Sequence, residues 1–183
     1  MSKVWTVLKM VCITAVSAAL SHCASTPSKP PPTVAPKVEI SRYLGQWYDI
    51  AHLPFRFQKN CWASTASYSM RPDGDIAVVN SCREGGFDGP KDSVTGKARV
   101  VDPVTNAKLE VQFFWPFWGD YWIVDLDPDY HWALVGTPSY KYLWILHRQP
   151  VIDKNTYDDL VRRAREKGYA VEKLIRSPQQ AVQ

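Results

Sequence analysis

The sequence predicts an all-β fold: an eight-stranded antiparallel up-and-down barrel with one C-terminal α-helix. Three observations carry this. Between Ser41 and Arg148, short β-type runs alternate with turn signals. Their connections divide into tight polar turns and larger aromatic loops. No long helical pattern appears before Pro150.

The predicted strands are residues 45–53, 62–70, 75–82, 93–101, 107–114, 120–126, 131–137 and 141–148. Lys108-Leu109-Glu110-Val111-Gln112-Phe113 alternates polar with apolar, so one face is wet and the other dry. Thr95, Lys97 and Arg99 alternate with Val94, Gly96, Ala98 and Val100 in the same way. If the strands run up and down, their connections alternate between two ends. One end takes the polar turns 71–74, 102–106 and 127–130. The other takes 54–60, 83–92, 115–119 and 138–140, three of which carry Phe or Trp. Eight strands enclose either their own side chains or one small ligand, and the asymmetry of the loops favours a cup with a mouth.

Beyond Pro150, Asp153 or Asn155 can cap a helix and Gly168 can stop it. Tyr157, Leu160, Val161 and Ala164 share one face; Asp158 with Arg162 and Asp159 with Arg163 form i,i+4 pairs on the other. Residues 170–175 are expected to add a strand or to pack alongside the barrel.

The N-terminus reads as an export signal. Lys3 and Lys9 precede the apolar run 10–20, which is shorter than the roughly 20 residues a spanning helix needs. Leu20-Ser21-His22-Cys23 resembles the lipobox of bacterial lipoproteins. That resemblance implies lipidation of Cys23, and Ala24 after it implies sorting to the outer membrane, on its periplasmic face. His22 departs from the small residue of that pattern, and ordinary cleavage after Ser21 is the alternative. The expected organisation is a signal peptide over 1–22, a Pro-rich tether over 23–40 and the barrel with its helix over 41–183. Proline removes donors and fixes φ, so the tether is read as extended, with about 3.1 Å per residue and on the order of 55 Å of stand-off.

Cys12 leaves with the signal and Cys23 with its lipid, which leaves Cys61 and Cys82. They flank the turn Arg71-Pro72-Asp73-Gly74 almost symmetrically, so in a hairpin of an exported protein they should form a disulfide. The net charge of +4 is spread over mixed surroundings, with no basic stripe for nucleic acid. No nucleophile elbow, zinc-protease helix, C-x-x-C or phosphate loop is present. His52, His131 and His147 fall on separate strands with no assigned nucleophile. Asp125, Asp127 and Asp129 lack the glycine and distal glutamate of a calcium loop. The expectation is a protein with no catalytic residues, no cofactor and no metal.

Alternation places the cup lining at Ala66, Tyr68, Ile76, Val78, Val94, Ala98 and Leu109, continuing with Val111, Phe113, Tyr121, Ile123, Tyr142 and Trp144. Phe55, Phe57, Phe87, Trp115, Phe117 and Trp118 fall at the mouth, where they suit a membrane interface, a passing acyl chain or a lid.

Gly45-Gln46-Trp47 resembles the G-x-W signature that opens the first strand of lipocalins. Tyr142 to Arg148, "YLWILHR", resembles their closing motif, and Asp127 to Tyr130 a degenerate middle one. The resemblance spans 38–177 and is nearest to the branch of bacterial outer-membrane lipocalins and apolipoprotein D. It implies that Trp47 closes the barrel base with Arg148 stacked on it, and that Gly45 gives the backbone its close approach. It also implies a fatty acid or lysophospholipid as ligand, held by a membrane-tethered carrier. The alternative is an envelope structural or stress module with a filled barrel and a docking rim for protein or membrane. Oligomeric state is left open, a homodimer included.

Overall fold

The computed structural model describes residues 29–181. The leader, the lipobox, Cys23 and the first part of the tether lie outside the described residues. A short helix, α1 (Ile40–Tyr43), leads into eight strands: β1 (Gly45–His52), β2 (Cys61–Met70), β3 (Ile76–Glu84), β4 (Lys91–Val100), β5 (Lys108–Phe114), β6 (Phe117–Leu126), β7 (Trp132–Gly136) and β8 (Leu143–His147). Helix α2 (Lys154–Glu166) and a two-residue strand, β9 (Ile175–Arg176), follow. From β1 to β8 each strand pairs antiparallel with the next, and β1 pairs with both β8 and β2, which closes the barrel. This is the predicted fold.

The predicted boundaries differ most at β6, which begins at Phe117 rather than Asp120. Phe114 pairs with Phe117 across Trp115-Pro116, so the connection read as a larger loop is a tight hairpin. Strand β5 ends at Phe114 as expected, and β6 reaches back to meet it through a register shift between Val111 and Phe114, so only β6 extends into what looked like loop composition.

The barrel has two apolar layers. Trp47, Tyr68, Val78, Leu109 and Ile123 belong to the interior cluster, while Leu134, Leu143 and Ile145 meet Leu160 and Ala164 of α2 on the outside. Asp153 caps α2 by accepting from the Asn155 and Thr156 N–H groups (2.9 and 3.1 Å), and Gly168 stops it at φ +95°. Asp159 pairs with Arg163 as the spacing predicts, but Arg162 turns to Asp159 and Glu166, and Asp158 to Lys154.

Two irregular segments complete the wall. Strand β2 pairs with β1 only as far as Tyr48, because Ala63 (φ +50°) lies in a bulge. The C-terminus fills the seam above that point. β9 pairs with Ala51 and His52, the Ala63 N–H donates to Pro178 O (2.8 Å), and Gln179 Nε2 donates to Asp49 O and Ser64 O. Val171 and Leu174 pack on the outer cluster as expected, and the strand that closes the seam begins only at Ile175.

The second segment is the Pro-rich stretch, which from residue 29 onward is a strap on the barrel and no free spacer. Pro32, Ala35 and Val38 are buried at intervals of three, the repeat of a polyproline II helix that lays one edge on a surface. Ala35 N–H donates to Ile123 O (2.9 Å) and Val38 N–H to Thr105 O (2.8 Å). Composition revealed the absence of regular structure, and said nothing about what the strap lies against.

Candidate ligand cup

The base is built first by the sequence and then by charge. Gly45 takes φ +91°, a region open to glycine, and a Cβ there would lie 3.4 Å from the Arg148 guanidinium. That turn drops Trp47 into the base, where it is fully buried and donates from Nε1 to Tyr43 O (2.8 Å). Arg148 comes from just past β8 and lies 3.7 Å from the Trp47 ring centroid. Its guanidinium also donates to Gln46 O (2.7 Å), Arg42 O (2.9 Å) and Leu44 O (2.9 Å). Cation, ring and carbonyls together seal the closed end.

Above Trp47 stand three hydroxyls in a row. Tyr121 lies 2.7 Å from Tyr43 and 2.8 Å from Tyr68, oxygen to oxygen. Burial raises Tyr43 and Tyr121 well above the usual tyrosine value and Tyr68 to about 12, so all three stay protonated at neutral pH. They form a neutral polar floor.

The lining expected from alternation sorts by height. Tyr68, Ile76, Val78, Ala98, Leu109 and Ile123 are buried low in the barrel. Ala66, Val111, Phe113, Tyr121 and Trp144 pack against them but remain partly open. Val94 pairs with Asn80 in the β3–β4 ladder and is 37% exposed, although its parity with Ala98 points it inward. Its place toward the mouth end of β4 accounts for that exposure. Tyr142 sits just before the start of β8, its ring 5.1 Å from Phe55.

Phe55 is the inward-turned aromatic of the mouth, edge-on to Tyr142 and to Trp144 (5.5 Å). Behind it, Trp144 Nε1 donates to Gln58 Oε1 (2.7 Å) and Gln58 Nε2 to Asp49 Oδ2 (2.8 Å). This chain ties the β1–β2 loop to both strands, and nothing in the alternation pattern announces it. Asp49 Oδ1 and Ser64 Oγ are buried without a partner among the described residues. Phe57, Trp115 and Phe117 point into solvent at 61%, 85% and 74% exposure. Phe87 packs edge-on against Trp62 (5.1 Å), and Trp118 lies under Arg99 on the outer wall, so neither joins the open rim.

Cys61 and Cys82 form the expected disulfide, with Cα atoms 5.4 Å apart. His52 does have a hydroxyl neighbour, contrary to expectation. Its Nδ1 lies 2.8 Å from Asp49 Oδ2 and 3.1 Å from Ser177 Oγ. Ser177 is 125 residues away, beyond any local pattern. Both contacts use the same ring nitrogen, whereas a nucleophilic relay needs the carboxylate on one and the hydroxyl on the other. Asp127, Asp129 and His131 gather at the β6–β7 turn, where Asp127 Oδ2 accepts from the His131 N–H (2.9 Å).

A family model described as "Lipocalin-like domain" matches residues 38–179. Temperature-induced lipocalin-1 of Arabidopsis thaliana is 42% identical over 151 residues, covering 78% of this chain and 80% of the relative. Outer membrane lipoprotein Blc of Citrobacter freundii is 38% identical over 168 residues, with 89% and 93% covered. Apolipoprotein D of Mus musculus is 33% identical over 159 residues, with 82% of each chain covered. Among solved structures, insecticyanin from the tobacco hornworm Manduca sexta superposes with a TM-score of 0.63 at 19% identity, covering 83% of this chain and 85% of its own. Lobster apocrustacyanin A1 gives 0.60 at 15%, covering 86% and 94%. The barrel with its corked base and these matches together establish that this chain belongs to the lipocalin family.

Proposed function

We propose that this protein is a non-enzymatic carrier that holds one amphiphile, a fatty acid or lysophospholipid, in the cup while tethered to the cell envelope through a lipid on Cys23. The single observation that carries the reading is the gradient along the inner wall, from sealed Ile123 through half-open Val111 to exposed Val94. Such a wall is apolar and grows more exposed toward the mouth. Each buried CH₂ contributes about 0.8 kcal/mol, so an acyl chain gains roughly ten kcal/mol gross. Association and chain ordering take a large part of that, which leaves micromolar binding within reach. The carrier works by burial and release. The relatives named as outer membrane lipoproteins support an envelope location, and the lipobox-like Cys23 supplies the means of attachment. No helix among the described residues is long and apolar enough to cross a membrane.

Native mass spectrometry of the folded protein with oleic acid and with lysophosphatidylethanolamine tests this. One adduct per chain is the expected result. A folded chain that retains neither amphiphile sinks the carrier reading and leaves the filled-barrel alternative.

A further inference from the structure

We propose that the floor of the cup takes a neutral oxygen, so that the preferred ligand is an acyl chain bearing a hydroxyl or carbonyl at its far end rather than a plain hydrocarbon tail. This rests on the carrier reading and narrows it. The proton count of the tyrosine row carries it. Tyr43, Tyr68 and Tyr121 are all neutral, because burial holds each phenol above its usual value, and together they bring three O–H protons. Their oxygens make two contacts, both involving Tyr121, and no other hydrogen bond among the described residues. Two contacts use two protons. However the row is oriented, one O–H donor lacks an acceptor, and a buried donor left unmatched is destabilising. Tyr43 and Tyr68 are only 2% and 7% exposed, while Tyr121 is partly open.

The inner wall leaves a passage to that donor. One step up the inner face from Tyr68 is Ala66, and one step up from Tyr121 is Gly119. An added Cβ at Gly119 would meet only Val111 O, at 3.9 Å. Both positions lie on the mouth side of their tyrosine, since β2 and β6 each begin at the open end. On β4, the Phe113 ring fills the place of the side chain that Gly96 lacks, where a Cβ would lie 2.7 Å from it. That recess takes the ring into the wall. Small residues thus stand above the row, where a leucine or phenylalanine would cover it.

Charge selects what reaches the floor. The phenols are neutral, and Arg148 lies beyond Trp47 with its donors engaged by the Gln46, Arg42 and Leu44 carbonyls. A carboxylate or phosphate at the floor would lose its hydration with no facing cation in return. The mouth offers the opposite, because the connections 54–60 and 137–142 carry Arg56, Lys59 and Lys141 and no acidic residue. The charged head therefore stays at the mouth, and the far end of the chain arrives at the tyrosines. A methyl group there leaves the spare O–H unmatched, whereas a hydroxyl or carbonyl oxygen accepts it. A site built around a hydrogen bond rejects the analogue that lacks it more steeply than an apolar pocket discriminates by size.

The test compares ω-hydroxy fatty acids of twelve, fourteen and sixteen carbons with the unsubstituted acids, by displacement of a fluorescent fatty acid from the mature protein. At the chain length that reaches the floor, the ω-hydroxy acid should bind about fivefold tighter than the unsubstituted one. A mid-chain hydroxy isomer of that length should bind more weakly than either. The triple variant Tyr43→Phe, Tyr68→Phe, Tyr121→Phe keeps the rings, removes the row and should reverse the preference, with its unfolding midpoint recorded. Unsubstituted acids that bind as tightly or tighter at every length overturn the floor site and leave a trapped water as the partner of the row. A folded triple variant with the wild-type preference overturns it as well. If the triple variant does not fold, the comparison of hydroxyl positions in the wild type decides alone. A folded wild type that binds none of these acids removes the carrier reading and the floor site together.

Discussion

The Arg148 guanidinium lies 3.7 Å from the centroid of the Trp47 ring while donating to carbonyls at the end of α1 and the start of β1. The pair joins the first strand to the residue after the last, so one side chain fastens the barrel where its two ends meet. Removing it leaves several carbonyls without their donor and Trp47 without its cover. Arg148→Met should cost about 2–4 kcal/mol and lower Tm by roughly 5–15 °C, read by thermal unfolding. Arg148→Lys should recover only part, because an ammonium cannot reproduce the planar fork. Equal stability of the Lys variant and the parent would contradict this role.

The tyrosine row predicts an alkaline transition. Folding raises the Tyr68 hydroxyl to about 12 from its ordinary value near 10, mainly by desolvation. A raised folded value favours the neutral phenol, so this stability is complete below pH 10 and is lost as pH rises toward 12. For Tyr68 alone the loss is on the order of 3 kcal/mol. Denaturant titrations between pH 10 and 12 should show stability falling, and Tyr68→Phe should flatten that slope by up to about 1.4 kcal/mol per pH unit. An unchanged slope means that Tyr68 titrates as a free phenol.

The Cys61–Cys82 bridge closes a loop of 21 residues' separation. Restricting the unfolded chain over such a loop stabilises by about 3 kcal/mol in the chain-entropy picture. Replacing both cysteines by alanine should lower the unfolding free energy by that amount, read as an earlier denaturant midpoint at unchanged slope, while leaving the far-ultraviolet circular dichroism of the barrel intact.

Truncation after Leu174 removes β9 and Gln179, and with them the partners of Ala51, His52, Asp49 and Ser64. The upper halves of β1 and β2 should then lose amide protection in hydrogen exchange, while β4 and β5 keep theirs. Uniform loss across all strands would show that the seam is not a separate closing element.

Much of this was legible in the sequence because strands advertise themselves locally. The alternation through Leu109, Val111 and Phe113 places the inner wall, and the parity of connections places the mouth. Gly45, Trp47 and Arg148 were readable from the motifs at the barrel's two ends. What stayed hidden depends on distant contacts. Gln58 bridges Trp144 and Asp49 from within a loop, and Ser177 reaches His52 across most of the chain, with no period to betray either. The strap did leave a signal: Pro32, Ala35 and Val38 recur every third residue, a spacing that fits neither helix nor strand and is easily passed over in a Pro-rich run.

The most direct test of the cup is to fill it from within. Val111 is half-buried on the inner wall of β5, whereas Val104 is exposed outside the base. Displacement of a fluorescent fatty acid would be measured for Val111→Trp and Val104→Trp, with unfolding midpoints recorded to show that both fold. A loss of at least about tenfold in affinity for Val111→Trp, with parental affinity for Val104→Trp, is the predicted result. Parental affinity in a folded Val111→Trp protein would place the ligand elsewhere and contradict the cup.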